Sequence, residues 1–385
     1  MKITGITTFL LSDTLDESFY FSQFEYASRL ICVVKVTTDE GIVGWGEGYG
    51  PAEVIRSAIN FFAPLVIGRN PLQGEVIWQD MHRRALDYAR KGVMLSALSA
   101  IDIALWDIRG KALGQSVSTL LGGRFREKVE VYATGLYFTQ AHACGNMQAK
   151  LADEALLYKS QGYRAIKMKV GLGVRTDIDN VTAVRKALGA GGEIKLMVDS
   201  NHAYTFREAF ELARALEPLR IHWFEEPLAP DDYAGYRELR GRTTIPLAAG
   251  ECEFLRAGFR QLLEGRCVDF IQPETCAAGG ITEAKKIADL AYAHYVEMTP
   301  HNWGTGIAVA ANLHLTANLC YPPGRMHANQ PLLEFDRSPN RLREELLAHP
   351  FKATDGCLTV PTAPGLGIEI DEEKLLHFSQ PPRAS

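Results

Sequence analysis

The chain has 385 residues, a formal net charge of −5, 46% hydrophobic and 23% charged residues, the profile of an ordinary globular protein. That length exceeds one comfortable core, so two domains are expected, and the acidic balance argues against a basic nucleic-acid surface. No apolar run approaches the roughly 20 residues that span a bilayer, so no membrane partner is expected.

The opening Met1-Lys2-Ile3-Thr4 enters a strand pattern and lacks the apolar core of a signal peptide. The seven cysteines are scattered, without a CxxC pair, and read as reduced thiols of a cytoplasmic protein. Cys252 and Cys276 read as small packing residues. In chain order, residues 1–12 alternate as a strand. Residues 13–28 read as a loop carrying Phe19, Tyr20, Phe21, Phe24 and Tyr26. Arg29–Val36 is a β-branched strand, Thr38–Gly41 a turn, and Ile42–Glu47 the returning strand. Helical patterns follow over Glu53–Ile67, Leu72–Ala89 with Pro71 in its first turn, and the strongly apolar Lys91–Lys111. A sheet followed by helices predicts an α+β domain over residues 1–125, ending near Gly122-Gly123-Arg124.

From there the pattern alternates strand and helix over residues 126–355. Strands are expected to begin near 129, 165, 195, 222, 246, 270, 296 and 332, mostly about 25 residues apart. Helices are expected over Met147–Gln161, Ile178–Leu188, Thr205–Leu216, Asp231–Leu239, Leu255–Leu263, Ile281–His294 and Ile307–Leu319. This is the sequence form of a β/α barrel, whose chemistry sits at the C-terminal rim. The tail, residues 356–385, holds Pro361–Gly367 and a strand-like Ile368–Ile370, and is expected to return to the first domain.

Reactive side chains recur at the ends of the apolar runs. Asp199, Glu225 and Glu251 are spaced 26 residues apart (225 − 199 and 251 − 225), which places equivalent ends of neighbouring strands side by side. Three converging carboxylates repel unless a cation joins them, and an all-oxygen set suits Mg²⁺. Lys167 and Lys169 lie two apart on one strand and project to one side. Two ammonium groups near a cation are expected to depress each other's pKa, which suits a general base. His301 and Glu274 end adjacent strands, so the carboxylate is expected to fix the tautomer of the imidazole and raise its pKa. Glu334 ends the eighth strand beside them. Asn201 stands two residues after Asp199 as a candidate substrate contact.

In this order, Lys167-Met168-Lys169, Val198–Asn201, Phe224-Glu225-Glu226-Pro227, Gly250-Glu251, Gln272-Pro273-Glu274 with Gly279-Gly280, Pro300-His301 and Leu333-Glu334 resemble the enolase superfamily in its mandelate racemase/muconate lactonizing enzyme branch. Ala100–Asp107 matches as well, so the resemblance covers nearly the whole chain. It implies an α/β fold, a modified TIM barrel (β/α)7β with an N-terminal α+β capping domain. It also implies one Mg²⁺ and abstraction of a proton α to a carboxylate of a small-molecule substrate. Lys169 and His301 would face the α-carbon from opposite sides, and Lys167 and Glu334 would contact carboxylate oxygens. The family pattern has Asp where this chain has Glu274. The segments Trp303–Gly306 and Leu333–Arg337 look most like acid-sugar members. The expectation is therefore β-elimination on an acid sugar or its lactone by a dehydratase or a lactone cycloisomerase; the alternative is a racemase or epimerase. The aromatic segment 13–28 is expected to close over the barrel mouth, with Tyr20 and Phe24 as substrate contacts. A homo-oligomer is compatible with the sequence, which does not specify one.

Overall fold

The computed structural model describes residues 1–22, 24–139, 146–320 and 330–379. The chain opens with an antiparallel sheet of β1 (Ile3–Phe21), β2 (Phe24–Thr38) and β3 (Val43–Gly48). Helices Ala52–Val66, Gly74–Arg84 and Val93–Leu113 pack on it. The last is buried on most sides, as its unbroken apolar sequence predicts. Glycines at 44 and 46 let β3 lie directly against it: a Cβ at either position would collide with the carbonyl oxygens of Ala104 or Ala100.

Residues 13–28 are not a loop. β1 and β2 run on as a long hairpin, with Phe19 opposite Tyr26, Tyr20 opposite Glu25 and Phe21 opposite Phe24. The alternation was hidden because both faces of this ribbon carry aromatic residues. A register shift between Thr14 and Phe19 bends it over the barrel.

The barrel strands are β4 (Lys128–Gly135), β5 (Ala165–Lys169), β6 (Lys195–Asp199), β7 (Ile221–Glu225), β8 (Leu247–Ala249), β9 (Phe270–Ile271), β10 (Glu297–Met298) and β11 (Leu332–Asp336). They pair in parallel in the order β10-β9-β8-β7-β6-β5-β4-β11. Side chains bridge the remaining seam: Thr299 Oγ1 donates to the Leu332 carbonyl at 2.8 Å and Asn302 Nδ2 to the Glu334 carbonyl at 3.1 Å. The expected α/β barrel and capping domain are thus borne out. An unforeseen strand, β12 (Cys357–Thr359), pairs antiparallel with β4.

Alternation along the strands sorts the core. Ile166, Met168, Leu196 and Val198 face the helix layer, while Ala165, Met197, Trp223, Ala248 and Tyr132 fill the barrel floor. Above that floor the inward positions become charged.

Contacts between cap and barrel shape the rim. Glu47, from β3, accepts from the backbone N–H and hydroxyl of Thr305 and from the Ala308 N–H. A carboxylate there suits the positive end of helix Gly306–Asn318 and fixes the segment carrying His301. Asp102 accepts from the Thr282 N–H at 2.9 Å and its hydroxyl at 2.6 Å. In the tail, Leu366 N donates to Asp107 at 2.9 Å, and after the strand-like Ile368–Ile370 comes a helix, Glu372–Phe378, that the sequence reading does not include. Among the described residues no helix is long and apolar enough to cross a membrane, and the six described cysteines are free thiols.

Candidate active site

Register explains why equal spacing brings the acids together. Lys169 pairs with Asp199, and Asp199 with Glu225. Glu225 pairs with Ala248, so Glu251 reaches the same level from the turn after β8 rather than from the strand itself. One carboxylate oxygen from each of Asp199, Glu225 and Glu251 lies within 4.8 Å of the others. Asp199 and Glu225 are buried and Glu251 nearly so.

The lysines are held by carboxylates, not by each other. Lys167 Nζ lies 2.5 Å from Glu225 Oε1, 3.0 Å from Glu334 Oε1 and 3.4 Å from Asp199 Oδ2. Lys169 Nζ donates to Asp199 Oδ2 at 2.6 Å and to Asn201 Oδ1 at 2.7 Å. Burial works against the Lys167 ammonium, but Glu225 and Glu334 outweigh it and hold its pKa well above the usual lysine range. The expected mutual depression therefore does not apply to Lys167, because anions surround it.

The second wall is His301 and its carboxylates. Both His301 and Glu274 lie beyond their short strands and meet as an isolated parallel bridge. Nδ1 sits 2.7 Å from Glu274 Oε2, and Nε2 lies 3.4 Å from Glu251 and 3.8 Å from Glu334. Burial lowers the imidazole pKa, but Glu251, Glu334 and Glu274 together push it up to about 10. Glu334 is pinned by the Thr134 hydroxyl at 2.5 Å and the Asn302 N–H at 3.0 Å.

The structure therefore brings Lys167, Lys169, Asp199, Asn201, Glu225, Glu251, Glu274, His301 and Glu334 to one rim. Tyr20 and Phe24 are not among them. Tyr20 turns its hydroxyl to Glu25 at 3.1 Å and pairs its backbone with Phe138 just past β4; Phe24 is 53% exposed. The Phe19–Phe21–Tyr26 face of the ribbon, opposite to Tyr20, covers the site instead; Phe24, the cross-strand partner of Phe21, shares that face but stands exposed. The Phe21 ring centroid lies 4.8 Å from Lys169 Nζ, with Tyr137 at 5.5 Å. Tyr26 packs edge-on against Trp303 at 5.0 Å, and Trp303 Nε1 donates to the Tyr137 hydroxyl at 2.9 Å. The period of two along β1 was the available signal: Phe19 and Phe21 share a face that Tyr20 does not.

Sequence reasoning also missed the supports of Glu225. Trp223 Nε1 donates to its Oε2 at 2.8 Å and Gln272 Nε2 to the same oxygen at 2.7 Å. Even so, burial raises the Glu225 pKa to about 7; Lys167 opposes this, and Asp199, Glu334 and Glu251 add to it. A desolvated, all-oxygen pocket with acids at this spacing fits a hard divalent cation.

Residues 10–122 match the mandelate racemase/muconate lactonizing enzyme N-terminal domain, and residues 150–374 match the enolase C-terminal domain-like family. The D-galactarolactone cycloisomerase of Agrobacterium fabrum (strain C58) is 40% identical over 382 residues, 99% of this chain and 100% of that protein. The crystal structure of the 3,6-anhydro-D-galactonate cycloisomerase from Zobellia galactanivorans is 50% identical, with a TM-score of 0.89 over 98% of this chain and 99% of that one. A racemase from Streptomyces coelicolor A3(2), solved with bound magnesium, is 29% identical, with a TM-score of 0.85 over 98% of this chain and 99% of that one. The chain belongs to the enolase superfamily, in its mandelate racemase/muconate lactonizing enzyme branch, and is an enzyme of that superfamily. Members bind a divalent metal, and Asp199, Glu225 and Glu251 form the candidate site here.

Proposed function

We propose that this enzyme opens a ring of a small acid sugar by β-elimination. The substrate is a lactone or anhydro sugar with a free carboxylate, whose ring oxygen is bonded to the β-carbon. The observation that carries this reading is the placement of Lys169 and His301 on opposite walls. Along the sheet β5 and β10 stand five strands apart one way, and three the other way across the seam. The two cycloisomerase relatives favour ring opening over inversion at the α-carbon.

In this reading Lys169 removes the α-proton. The C–O bond at the β-carbon breaks, and His301 gives its Nε2 proton to the departing ring oxygen. The enol then tautomerises to a 2-keto-3-deoxy acid, so the overall change is an isomerisation and no water is lost. Lys167 presents a fixed positive charge to the substrate carboxylate. Glu334, whose two oxygens already accept bonds, positions Lys167. Mg²⁺ held by Asp199, Glu225 and Glu251 would supply Lewis-acid stabilisation of the charge that builds on that carboxylate. Phe21 and Tyr137 exclude water above Lys169, and Asn201 keeps the amine aimed.

The test is a panel of acid-sugar lactones, anhydro acids and open-chain acids followed by NMR with Mg²⁺ present. The expected product is a ring-opened 2-keto-3-deoxy acid of unchanged mass. Inversion at the α-carbon with the ring intact, or turnover of open-chain acids alone, would overturn the reading.

A further inference from the structure

Behind the carboxylate triad lies a second cluster with different donors. His202 comes three residues after Asp199, Glu226 follows Glu225, and Cys252 follows Glu251. Glu226 and Cys252 line a small cavity with Tyr236 and Leu262, which stand on the helices Tyr233–Arg240 and Leu255–Glu264, so this set points towards the helix layer rather than into the barrel. Backbone φ angles of +67° at His202 and +43° at Glu226 put both residues in the left-handed region, in the turns beyond their strands. One ligand atom from each of the three residues lies within 4.8 Å of the others.

We propose that His202, Glu226 and Cys252 bind one borderline divalent cation, Zn²⁺ by donor chemistry, in the layer between the barrel and its helices. Three independent observations carry this. First, His202 Nδ1 lies 3.3 Å from the Leu228 carbonyl, which only accepts, so Nδ1 carries the proton in that bond. Nε2 is the nitrogen left to face Glu226 Oε2 at 3.1 Å and Cys252 Sγ at 3.6 Å. Metal-bound histidines are oriented in the same way, by donation from the other nitrogen to a carbonyl. Second, Glu226 is 2% exposed and its Oε2 has no hydrogen-bond partner. A buried carboxylate oxygen without a hydrogen bond is costly unless a positive centre meets it, and a cation shared with the His202 ring 3.1 Å away is one such centre. Third, a cavity of about 10 Å³, lined by Glu226, Cys252, Pro230 and Tyr236 though not by His202, adjoins two of the three ligands. That is the size of roughly one water-sized sphere.

The spacing suits the ion. Bonds of about 2.0–2.1 Å to N and O and about 2.3 Å to S, at tetrahedral angles, give edges near ~3.3 Å (N to O) and ~3.6 Å (N to S). The thiolate disfavours Mg²⁺, and the all-oxygen triad suits it, so donor softness sorts two ions into adjacent sites. Binding releases the Cys252 thiol proton to solvent. The ion would tie together the ends of β6, β7 and β8, the strands that carry or lead into the triad. The proposal stands apart from the reaction assigned above.

The experiment uses the whole Mg²⁺-saturated enzyme, equilibrated with Zn²⁺ and freed of excess, with both metals counted by mass spectrometry. The expected result is one Zn²⁺ per chain alongside an unchanged Mg²⁺ count. In Cys252→Ser and in His202→Gln, Zn²⁺ affinity should fall by more than the roughly 10- to 100-fold that loss of an outer partner costs. Mg²⁺ binding should persist in both, which also reports that they are folded. Co²⁺ in place of Zn²⁺ should give a thiolate charge-transfer band that Cys252→Ser removes. Zn²⁺ uptake that displaces Mg²⁺ equally in parent and Cys252→Ser, a Co²⁺ band that survives Cys252→Ser, or no Zn²⁺ retained would each overturn the proposal.

Discussion

Nδ1 of His301 lies 2.7 Å from Oε2 of Glu274, whose other oxygen accepts the Cys276 backbone N–H at 2.7 Å. The carboxylate is therefore fixed at both ends, and the longer arm of Glu relative to the family's Asp still reaches the ring. If His301 delivers the leaving-group proton, the charge of Glu274 matters more than its length. Glu274→Gln should lower kcat about 10- to 100-fold and move the alkaline limb of the pH profile to lower pH, because the imidazolium loses a stabilising anion. Glu274→Asp should keep most of the activity and the original profile. A pH–rate series on both variants checks this; equal profiles for parent and Glu274→Gln would count against the acid role.

The cover over Lys169 comes from the Phe21 face of the β1–β2 ribbon. Phe21→Ala should change relative kcat/KM among acid sugars by about 10-fold or more, since removing a well-packed aromatic costs on the order of 1–3 kcal/mol of contact. Phe24→Ala, at an exposed position, should leave those ratios within about 2-fold. Competition assays with pairs of substrates measure the ratios directly, and a larger change from Phe24→Ala would contradict the assignment of the cover to Phe21.

Chelation should abolish turnover, and Mg²⁺ should restore it. Full activity in an exhaustively metal-free preparation would remove the role given to Asp199, Glu225 and Glu251.

His314 gives a stability signature. It is fully buried, accepts the Ser118 N–H at Nδ1 at 3.2 Å and faces the Leu366 carbonyl through Nε2 at 3.1 Å. The bond accepted at Nδ1 requires the neutral ring, and burial lowers its pKa from 6.5 to about 4 against the opposing pull of the Leu366 carbonyl. The unfolded chain takes up a proton below pH 6.5 while the folded chain does not until about pH 4. Stability contributed by this group is thus full above pH 6.5 and declines through that window, by ~3 kcal/mol at its acid end. In His314→Gln, whose amide can both accept and donate, denaturant titrations should show a flatter acid slope by about one proton. An unchanged slope would contradict this.

Much of the site was legible because barrel register turns equal sequence spacing into spatial adjacency. Asp199 and Glu225 are direct strand partners, and Lys167 and Lys169 share a face by the period of two. The rest was not legible for identifiable reasons. The strands ending near Glu251, Glu274 and His301 are only two or three residues long, so these side chains sit on turns whose aim no periodicity specifies. The 13–28 ribbon carries aromatics on both faces, which masks the alternation that separates Phe21 from Tyr20. The Lys167 environment depends on Glu334, 167 residues later, and on Glu225, so its electrostatics were not local.

The division of labour between Lys169 and His301 is the centre of the account, and α-hydrogen exchange in D₂O tests it most directly. A ring-bearing acid sugar turned over by the parent enzyme is incubated with Lys169→Ala and with His301→Asn, and ¹H NMR follows both the α-hydrogen and the ring. Lys169→Ala should neither exchange the α-hydrogen nor open the ring. His301→Asn should exchange it for deuterium while the ring stays closed, because the base remains and the leaving group has lost its proton donor. Ring opening at the parent rate in either variant, or exchange retained only in Lys169→Ala, would contradict the assignment.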